Sequence, residues 1–337
     1  MGTEKGESYT IDDMARELGV SKTTVSRAIS GKGRISEETR KRVFALMEEH
    51  NYRPSAVAKS LAKNKTYNLA LVLPEDCNAD EMPFFQHCLT GACAVASQHD
   101  YDILITTVSA LNLRQLERIL ANRKVDGVIV SRTVTGSKMV ELLREKGVPF
   151  VLIGTSQEPD VLWVDHNSEK ASYELTSLLI TMGLRNPCLF AGDLTFQVNQ
   201  SRLRGFRQAC SRFGIDPDEG RVYEHTEEPF FLQNALESCL NRGTDCIFCM
   251  DDLICHRTMT RLQERGVSVP EQVCLASYYD SSFLQHSSPP VTSLQFDPKQ
   301  LGMEACQILL NLLKGKPVES RMFPEYNIAL RASTKRF

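Results

Sequence analysis

From Tyr67 onward, short apolar runs alternate with amphipathic helical stretches through most of the 337-residue chain. Alternation of this kind, with apolar runs too continuous to leave one face in water, is typical of parallel sheets covered by helices on both faces. The pattern is long for a single sheet, so we expect two lobes. The predicted strands span residues 67–73, 101–106, 125–131, 148–153, 187–191, 244–249 and 273–277, and the predicted helices span residues 84–99, 112–123, 136–147, 166–183, 200–213, 231–242, 253–266 and 298–314.

Residues 9–30 have a different pattern, that of two short helices joined by a tight turn. Met14, Ala15 and Leu18 recur at helical spacing and therefore share one apolar face. Gly19 follows that face and supplies the turn. The pattern predicts a helix-turn-helix head.

The second of these helices presents a polar, basic face. Ser21 is placed to cap the helix, and Val25 and Ala28 fall on its inner side. A helix of this kind suits a major groove, where side chains read base edges. The side chains predicted to face outward are Lys22, Thr23, Ser26 and Arg27.

Two more helical segments follow the head's first pair. Ser36 begins a third helix that ends near Asn51, and Pro54 prevents its continuation. Residues 55–62 then offer a cap and two helical turns, which are marginal as an isolated helix. If this segment is helical, something must pack against it.

Charge is unevenly distributed along the chain. The net charge is −3 overall, but residues 1–65 carry +4 and the remainder carries −7. A basic head on an acidic body indicates that phosphate contact is confined to the N-terminal part. A hydrophobic share of 42% supports a sizeable core.

The eleven cysteines predict buried thiols rather than disulfides or a metal site. Their number is odd, their spacing is irregular, and the N-terminus has no signal peptide, so we expect a reducing cytoplasm. Cys246 and Cys249, followed by Cys255 and His256, resemble a metal-ligand set. The first pair lies in a predicted strand, however, where residues three apart face opposite sides. No apolar stretch approaches the ~20 residues that a membrane span needs.

Eight short runs, spread from the head to the end of the body, form one further pattern. They are Ile11–Ala15 with Gly19–Ser21, Thr24–Arg27, Asn51–Pro54, Ala58–Ala62, Val125–Ile129, Arg202 with Gly205–Phe206, Asp251–Asp252 and Pro289–Ser293. In this order they resemble the lactose-repressor (LacI) family of bacterial transcription regulators, from about Tyr9 to Thr334. A helix-turn-helix match alone is weak evidence. A head, a short hinge and a two-lobed body together are specific.

The resemblance implies a fold and its boundaries. A small all-α helix-turn-helix head would occupy residues 1–54, and a hinge helix with its linker residues 55–65. A two-lobed α/β body of the periplasmic-binding-protein type, with parallel sheets, would follow. Its N-terminal lobe would comprise residues 66–163 with 296–322, and its C-terminal lobe residues 164–295 with 323–337.

The resemblance also implies a homodimer that represses transcription on pseudo-palindromic operator DNA, with one head in each half-site. Paired hinge helices would insert Leu61 into the minor groove, where unstacking a base step costs about a few kcal/mol. Arg27 is long enough to donate two hydrogen bonds to a guanine edge, and the alternative role for it is a solvated charge on the helix. For Ser21, the alternative to DNA contact is a helix cap alone. The residues expected at the DNA are Thr10, Ser21, Lys22, Thr23, Ser26, Arg27, Tyr52, Ser55, Ala58 and Leu61.

Within the body, the resemblance implies a cleft for a small-molecule effector near the carboxyl ends of the strands. We expect a sugar or sugar derivative, since aromatic faces pack on rings and fixed charges bind hydroxyls. For Phe84 and Phe85 the alternative is a place in the lobe core, and for Arg202 a structural ion pair. The residues expected at the effector are Phe84, Phe85, Arg132, Arg202, Asp252, Tyr279 and Asp280.

Three positions depart from the family's pattern. Tyr279 stands where an Asp is usual, which leaves Asp280 as the carboxylate of that loop. Asp251 replaces a more common Asn, and Gly154 stands where an Asp often ends a strand. The loss of carboxylates that hold hydroxyls weighs against an ordinary neutral sugar.

We do not expect an enzyme, because the motifs of nucleophilic or phosphate chemistry are missing from the sequence, and we expect no cofactor. Two alternative functions remain open. A partner protein, bound to the outer surface of the lobe nearest the head, would replace the cleft ligand as the controlling signal. A plain solute-binding protein would carry a head that does not bind DNA.

Overall fold

The computed structural model describes residues 9–31, 33–52, 65–75, 83–109 and 112–335. Contacts divide the chain into two compact units, residues 1–65 and residues 66–337, each described below by itself. Within the described ranges, every helix is too short or too polar to cross a bilayer.

Three helices form the first unit: α1 (Ile11–Leu18), α2 (Lys22–Ser30) and α3 (Glu37–Glu49). Thr10 begins α1 with a reciprocal cap, in which the Asp13 N–H donates to Thr10 Oγ1 at 3.3 Å and the Thr10 N–H donates to Asp13 Oδ2 at 3.0 Å. Gly19 ends α1 with a φ of +65°, a conformation that favours glycine. The predicted helix-turn-helix is thus present.

The core of this unit is small and comes from all three helices. Met14, Val25, Ala28 and Val43 are fully buried, and Leu46 is nearly so. These are the apolar positions that the helical spacing places inward.

The second unit contains two six-stranded sheets. The first consists of β1 (Asn68–Pro74), β2 (Asp102–Val108), β3 (Gly127–Val130), β4 (Phe150–Ile153), β5 (Trp163–His166) and β11 (Arg321–Phe323), in the order β11-β5-β4-β3-β1-β2, and all its pairs are parallel. The second consists of β6 (Pro187–Phe190), β7 (Val222–Tyr223), β8 (Cys246–Cys249), β9 (Cys274–Ser277), β10 (Thr292–Gln295) and β12 (Asn327–Ala329), in the order β12-β10-β9-β8-β6-β7. Only its edge pair β10–β12 is antiparallel.

Helices cover both sheets, as the alternating sequence pattern predicts. Those packed around the first sheet are α4 (Pro83–Ser97), α5 (Arg114–Ala121), α6 (Lys138–Glu145) and α12 (Pro298–Leu312). Those packed around the second are α7 (Ser168–Thr181), α8 (Gln197–Arg212), α9 (Pro229–Asn241), α10 (Asp252–Glu264) and α11 (Ser282–His286). The predicted fold class, a helical head followed by two parallel-sheet α/β lobes, is confirmed.

The chain crosses between the sheets three times: after β5, after β10, and between β11 and β12. The family resemblance implied a first crossing after residue 163 and a third after residue 322. In the structure, Trp163–His166 and Arg321–Phe323 both lie wholly in the first sheet and pair with each other. These strands are only four and three residues long and rich in polar side chains, so they lack the apolar run used to find strands.

Two glycines bring α4 and α12 into close contact. A Cβ at Gly302 would lie 1.9 Å from the carbonyl oxygen of Cys88, and one at Gly91 would lie 2.0 Å from the carbonyl oxygen of Lys299. The two helices therefore cross with their backbones in contact, which no larger residue permits.

Candidate nucleic-acid interface and interlobe cavity

Helix α2 divides into a buried side and an exposed side. Val25 and Ala28 are buried in the core of the first unit. All four side chains predicted to face outward are exposed; they are Lys22, Thr23, Ser26 and Arg27. The exposed side therefore offers hydroxyls and two cations along one helix, as base-edge and phosphate contacts require.

Several predicted DNA-contacting residues also have a structural role. Ser21 Oγ accepts the Thr24 N–H at 3.1 Å, so Ser21 caps α2 while remaining exposed. Thr10 caps α1, as described above. Tyr52 is half-buried, and its backbone N–H donates to Met47 O at 2.8 Å. Ser55, Ala58 and Leu61 lie outside the described residues, as does the rest of the predicted hinge helix at 55–62.

Arg27 and Lys22 are both positioned by neighbours. A Cβ at Gly33 would lie 3.3 Å from Cδ of Arg27, so the arginine stem runs along a residue without a side chain. Lys22 forms an exposed ion pair with Asp12 of α1. Exposed pairs of this kind contribute roughly 0–1 kcal/mol, so Lys22 is readily released to another partner.

A cavity of about 340 Å³ lies in the second unit, between the carboxyl ends of the two sheets. Its walls include residues that lie within two positions after the ends of β3, β4, β6, β8 and β9. Ligands of open α/β sheets bind at such ends. Of the seven predicted effector-binding residues, six line this cavity: Phe84, Phe85, Arg132, Arg202, Asp252 and Tyr279. Their role in binding stays a prediction.

Aromatic rings form one wall of the cavity. Phe84 packs edge-on against Phe85 with ring centroids 5.3 Å apart, and against Tyr279 at 6.0 Å. Phe85 is almost fully buried, as a place in the lobe core predicts, whereas Phe84 is half-buried, and ligand contact by either ring stays a prediction. Phe296 and His166 add a second, tilted ring pair at 4.9 Å.

The two lobes touch beside the cavity through one loop from each. The Thr135 N–H donates to Thr195 O at 3.1 Å, and the Gln197 N–H donates to Thr133 O at 3.2 Å. The guanidinium of Arg132 lies over the Phe196 ring, 4.1 Å from its centroid, which is a cation–π contact. We call residues 133–135 and 195–197 the interlobe bridge.

Arg202 is deeply buried in the cavity wall, with 8% of the residue exposed. Its Nη1 donates to Met250 O at 2.8 Å. Its Nε is buried without a hydrogen-bond partner among the described residues. The structural alternative for this residue, an ion pair, does not account for Nε, because a buried N–H without an acceptor costs free energy.

Asp165 and His166 also line the cavity and were missed by the sequence analysis. Asp165 accepts the N–H of Thr155 at 2.9 Å and that of His166 at 2.7 Å. Burial raises the pKa of Asp165 to about 6, against these hydrogen bonds, and burial lowers the pKa of His166 to about 4. The available signal was the polar Asp165-His166 pair at the end of an otherwise apolar segment.

Several carboxyl groups lie close together on the second lobe's side of the cavity. Burial, and then the adjacent Asp251, raise the pKa of Asp252 to about 7. Asp251 caps α10 by accepting the Ile254 N–H at 2.8 Å. Burial raises the pKa of Glu227, whose Oε2 is buried without a hydrogen-bond partner among the described residues. Glu227 too was missed, because it lies in a loop without a recognisable motif.

Asp280, the seventh predicted effector-binding residue, is not among the residues that line this cavity, and its carboxylate is engaged by hydrogen bonds elsewhere, so its role in binding stays a prediction. Arg331 donates from Nη1 to Oδ1 at 2.8 Å and from Nη2 to Oδ2 at 2.7 Å. Further donors are Ser293 Oγ, Gln295 Nε2 and Gln285 Nε2. Asp280 thus acts as a structural anchor.

The local geometry explains why a glycine occupies position 154, which is another departure from the family's pattern. Its φ is +112°, and a Cβ there would lie 2.6 Å from Oγ1 of Thr133. Thr133 Oγ1 donates to the carbonyl groups of Ile153 and Gly154, each at 3.1 Å. A side chain at position 154 would therefore displace the loop that leads to the interlobe bridge.

The cysteine set around residue 250 lies in the core. Cys246 and Cys249 belong to β8, and both are fully buried, as is Cys255 of α10. The strand assignment on which the buried-thiol reading rested is confirmed. Among the described residues, no three metal-ligating side chains gather at one point.

Each of the two units contains a region that matches a known protein family. A family model described as "Bacterial regulatory proteins, lacI family" matches residues 10–55, and one described as "Periplasmic binding protein-like domain" matches residues 176–334. The chain is 31% identical over 290 residues to the HTH-type transcriptional regulator MalR of Streptococcus pneumoniae, covering 82% of this chain and 88% of that protein. It is 28% identical over 334 residues to the HTH-type transcriptional repressor PurR of Vibrio atlanticus, covering 96% and 98%. A solved transcriptional regulator CelR–cellobiose complex superposes with a TM-score of 0.73 at 27% identity, covering 96% of this chain and 99% of that one.

Proposed function

Because this chain belongs to the LacI family of DNA-binding transcriptional repressors, which are not enzymes, we propose that it represses transcription as a homodimer on a pseudo-palindromic operator. A sugar or sugar derivative in the interlobe cavity would control it. It would act in the cytoplasm, where the operator is located.

The observation that carries the DNA-binding part is the exposed face of α2. Lys22, Thr23, Ser26 and Arg27 are exposed together, on a helix held at a fixed angle by a buried core. Arg27 would read a guanine edge, a contact worth roughly 1–3 kcal/mol of discrimination. Ser21 and Thr10, at helix N-termini, would contact phosphates through the orientation that their caps impose. Tyr52 would position the head beside them.

Exposed aromatic side chains on the second lobe support the dimer. Phe230 at the start of α9 is 70% exposed, and Phe231 and Phe283 are about half exposed. Their helices follow one another in space, since α9 packs on α10 and α10 on α11. Solvent-exposed aromatic groups of this number mark an interaction surface, and a second copy of the chain is the proposed occupant.

The effector class rests on the cavity and on one relative. Aromatic rings, a buried guanidinium and carboxylates are the groups that bind a hydroxylated ring. The volume of about 340 Å³ is near the small end of the usual range for ligand pockets, so the ligand is small. The CelR complex contains cellobiose, which is a sugar. The relative named PurR has a different name from MalR and CelR and gives no support to a sugar effector.

The hydrogen bonds of Asp126 support a structural connection between the body and the hinge. Its two carboxylate oxygens accept the Thr66 N–H at 2.7 Å, the Thr66 hydroxyl at 2.9 Å and the Tyr67 N–H at 3.0 Å. The residues that follow the hinge are therefore fixed to the start of β3. A change of lobe closure would move this attachment, and a coupling of roughly 1–3 kcal/mol would change operator affinity about 5- to 150-fold.

The experiment that tests this function selects the bound sequence from random double-stranded oligonucleotides with the full chain. The expected product is an inverted repeat bound by two copies, released or tightened by a ligand from a sugar panel in a gel-shift titration. Recovery of no preferred sequence contradicts the DNA-binding role. Retention of an operator that no small molecule affects, but that a protein partner does, favours control by that partner.

A further inference from the structure

The wall of the interlobe cavity is strongly acidic. Six carboxylates line it, namely Asp165, Asp193, Glu227, Glu228, Asp251 and Asp252. Two guanidinium groups, those of Arg132 and Arg202, oppose them. Charges in a partly buried cavity interact far more strongly than in water, so an excess of carboxyl groups over guanidinium groups favours a cationic ligand and disfavours an anionic one.

The two arginines are already engaged. Arg132 lies over the Phe196 ring as part of the contact between the lobes, and Nη1 of Arg202 donates to Met250 O. The Arg202 guanidinium thus meets a backbone carbonyl, in contrast to Arg331, which pairs with Asp280 outside the cavity. On the second lobe, Asp251 Oδ1 accepts the Ile254 N–H and Glu227 Oε1 lies 3.6 Å from His225 Nδ1, so Glu227 Oε2 is the oxygen that still needs a donor.

Two unpartnered buried atoms give a second observation that does not depend on charge. Nε of Arg202, in a residue with 8% of its surface exposed, needs an acceptor. Oε2 of Glu227 needs a donor. Both residues line the cavity, so the missing partners are to be expected from its occupant.

The unpartnered atoms and the acidic wall together describe one chemical class of ligand. The acceptor for Arg202 is a hydroxyl oxygen, the donors for the second lobe's carboxylates are the N–H groups of an ammonium, and the aromatic wall takes the face of a ring. A neutral sugar supplies the hydroxyl and the ring but leaves the acidic surplus uncompensated. A sugar phosphate or sugar acid adds to that surplus.

We propose that the effector of the interlobe cavity is an amine-bearing sugar derivative, whose ammonium group binds the second-lobe carboxylates Glu227, Asp251 and Asp252 and whose hydroxyl accepts from Arg202. The proposal rests on the proposed function, in which this cavity is the effector site, and names the class of ligand.

The test uses matched trios of small molecules with the full chain. D-glucosamine, D-galactosamine and D-mannosamine are each compared with their N-acetyl derivative and their parent hexose, at constant ionic strength, by thermal shift and then by calorimetry. At least one amine is expected to bind roughly tenfold or more tightly than both of its neutral counterparts. Methylammonium chloride at the same concentration controls for charge alone.

Variants locate the effect. Glu227→Gln and Asp252→Asn are each expected to reduce the preference for the amine over its parent hexose by about tenfold, since each removes a carboxyl group that an ammonium can bind. Glu224→Gln removes the same charge from an exposed side chain three residues before Glu227 and outside the cavity wall, and it is expected to leave the preference unchanged. Equal effects of Glu224→Gln and Glu227→Gln would overturn the assignment.

Other outcomes are equally decisive. Binding of a neutral hexose or an N-acetyl derivative in preference to its amine overturns the proposal, and so does the absence of a response to all three amines. In either case, operator binding by the same sample shows that the proposed repressor function stands. If that sample binds no selected oligonucleotide, the proposed function itself has failed.

Discussion

Arg331 and Asp280 form a two-point ion pair in which each guanidinium nitrogen donates to a different carboxylate oxygen, at 2.8 and 2.7 Å. Their side chains are only 16% and 5% exposed. Arg331 follows the edge strand β12 and Asp280 follows β9, so the pair fastens the last part of the chain to the second sheet. Removing one partner would leave a buried charge without compensation.

Asp280→Ala is therefore expected to destabilise the protein by about 3–5 kcal/mol. Chemical denaturation monitored by circular dichroism measures the loss. Asp160→Ala removes a carboxylate from an exposed position and serves as the control. Loss of ligand binding without loss of stability would instead return Asp280 to the effector site.

The raised pKa of Asp252 predicts a dependence of stability on pH. Its value of about 7 in the folded chain exceeds the ~4 of an unfolded one, so the folded state holds a proton that the unfolded state releases between these values. The associated stability is fully present below pH ~4 and is lost as pH rises through ~7. We expect the melting temperature to fall between pH 5 and pH 8, and to fall less in Asp252→Asn.

The expected difference between the two proteins at pH 8 is about 1–3 kcal/mol, or roughly 2–9 °C, after allowance for partial exposure of the side chain. Melting curves at pH 5, 6, 7 and 8 measure it. Asp160→Asn, at an exposed site, should follow the unsubstituted protein at every pH. Parallel curves for Asp252→Asn and the unsubstituted protein would count against the shift.

Arg27→Ala is expected to abolish preference for the operator while leaving salt-sensitive binding to any duplex. The guanidinium is exposed on α2, where it is proposed to read bases, whereas the other cations of the head would supply phosphate contact. Competition gel shifts with operator and scrambled duplexes measure the preference, which should drop roughly 10-fold or more. Arg42→Ala removes an exposed charge from α3 and should lower both affinities alike. Unchanged selectivity in Arg27→Ala would refute the role.

Gly302→Ala is expected to destabilise the body by about 1–3 kcal/mol or more, because the added methyl would sit 1.9 Å from the Cys88 carbonyl oxygen and force α4 and α12 apart. Denaturant unfolding measures the change. Thr90→Ala, on the exposed face of α4 next to Gly91, is the control and should change stability little. A neutral Gly302→Ala would mean that the two helices separate without cost.

Asp126→Ala is expected to weaken operator binding by about tenfold, since it releases Thr66 and Tyr67 at the entry to the body. Fluorescence anisotropy with a labelled operator measures this, and calorimetry of the cavity ligand should show little change. Operator affinity equal to that of the unsubstituted protein would show that the attachment does not contribute.

The parts of the fold that the sequence predicts well are those in which apolar spacing decides the structure. Strand β1 and helix α8 lie close to their predicted ranges, because their buried residues recur at regular intervals. Strands β5, β7, β10, β11 and β12 were not predicted. They are held by pairing with distant strands, and residues such as Asp165 and Gln295 interrupt any apolar run.

The candidate site divides in the same way. Residues carried over from a family pattern, such as Arg202 and Tyr279, do meet at the cavity. Asp165 and Glu227 were missed, since their approach depends on where separate strands and loops end. Tyr279 lines the cavity, whereas its neighbour Asp280 pairs with Arg331, a partner some fifty residues away that no sequence motif indicates.

The three crossings between the sheets determine how this body tolerates truncation. A polypeptide ended after the first crossing would lack both α12, which packs against α4, and β11, which borders β5. Neither lobe corresponds to an uninterrupted stretch of gene, so shuffling effector specificity between relatives requires exchanging residues 66–335 as a block. Recombination within that block would have to respect all three connections at once.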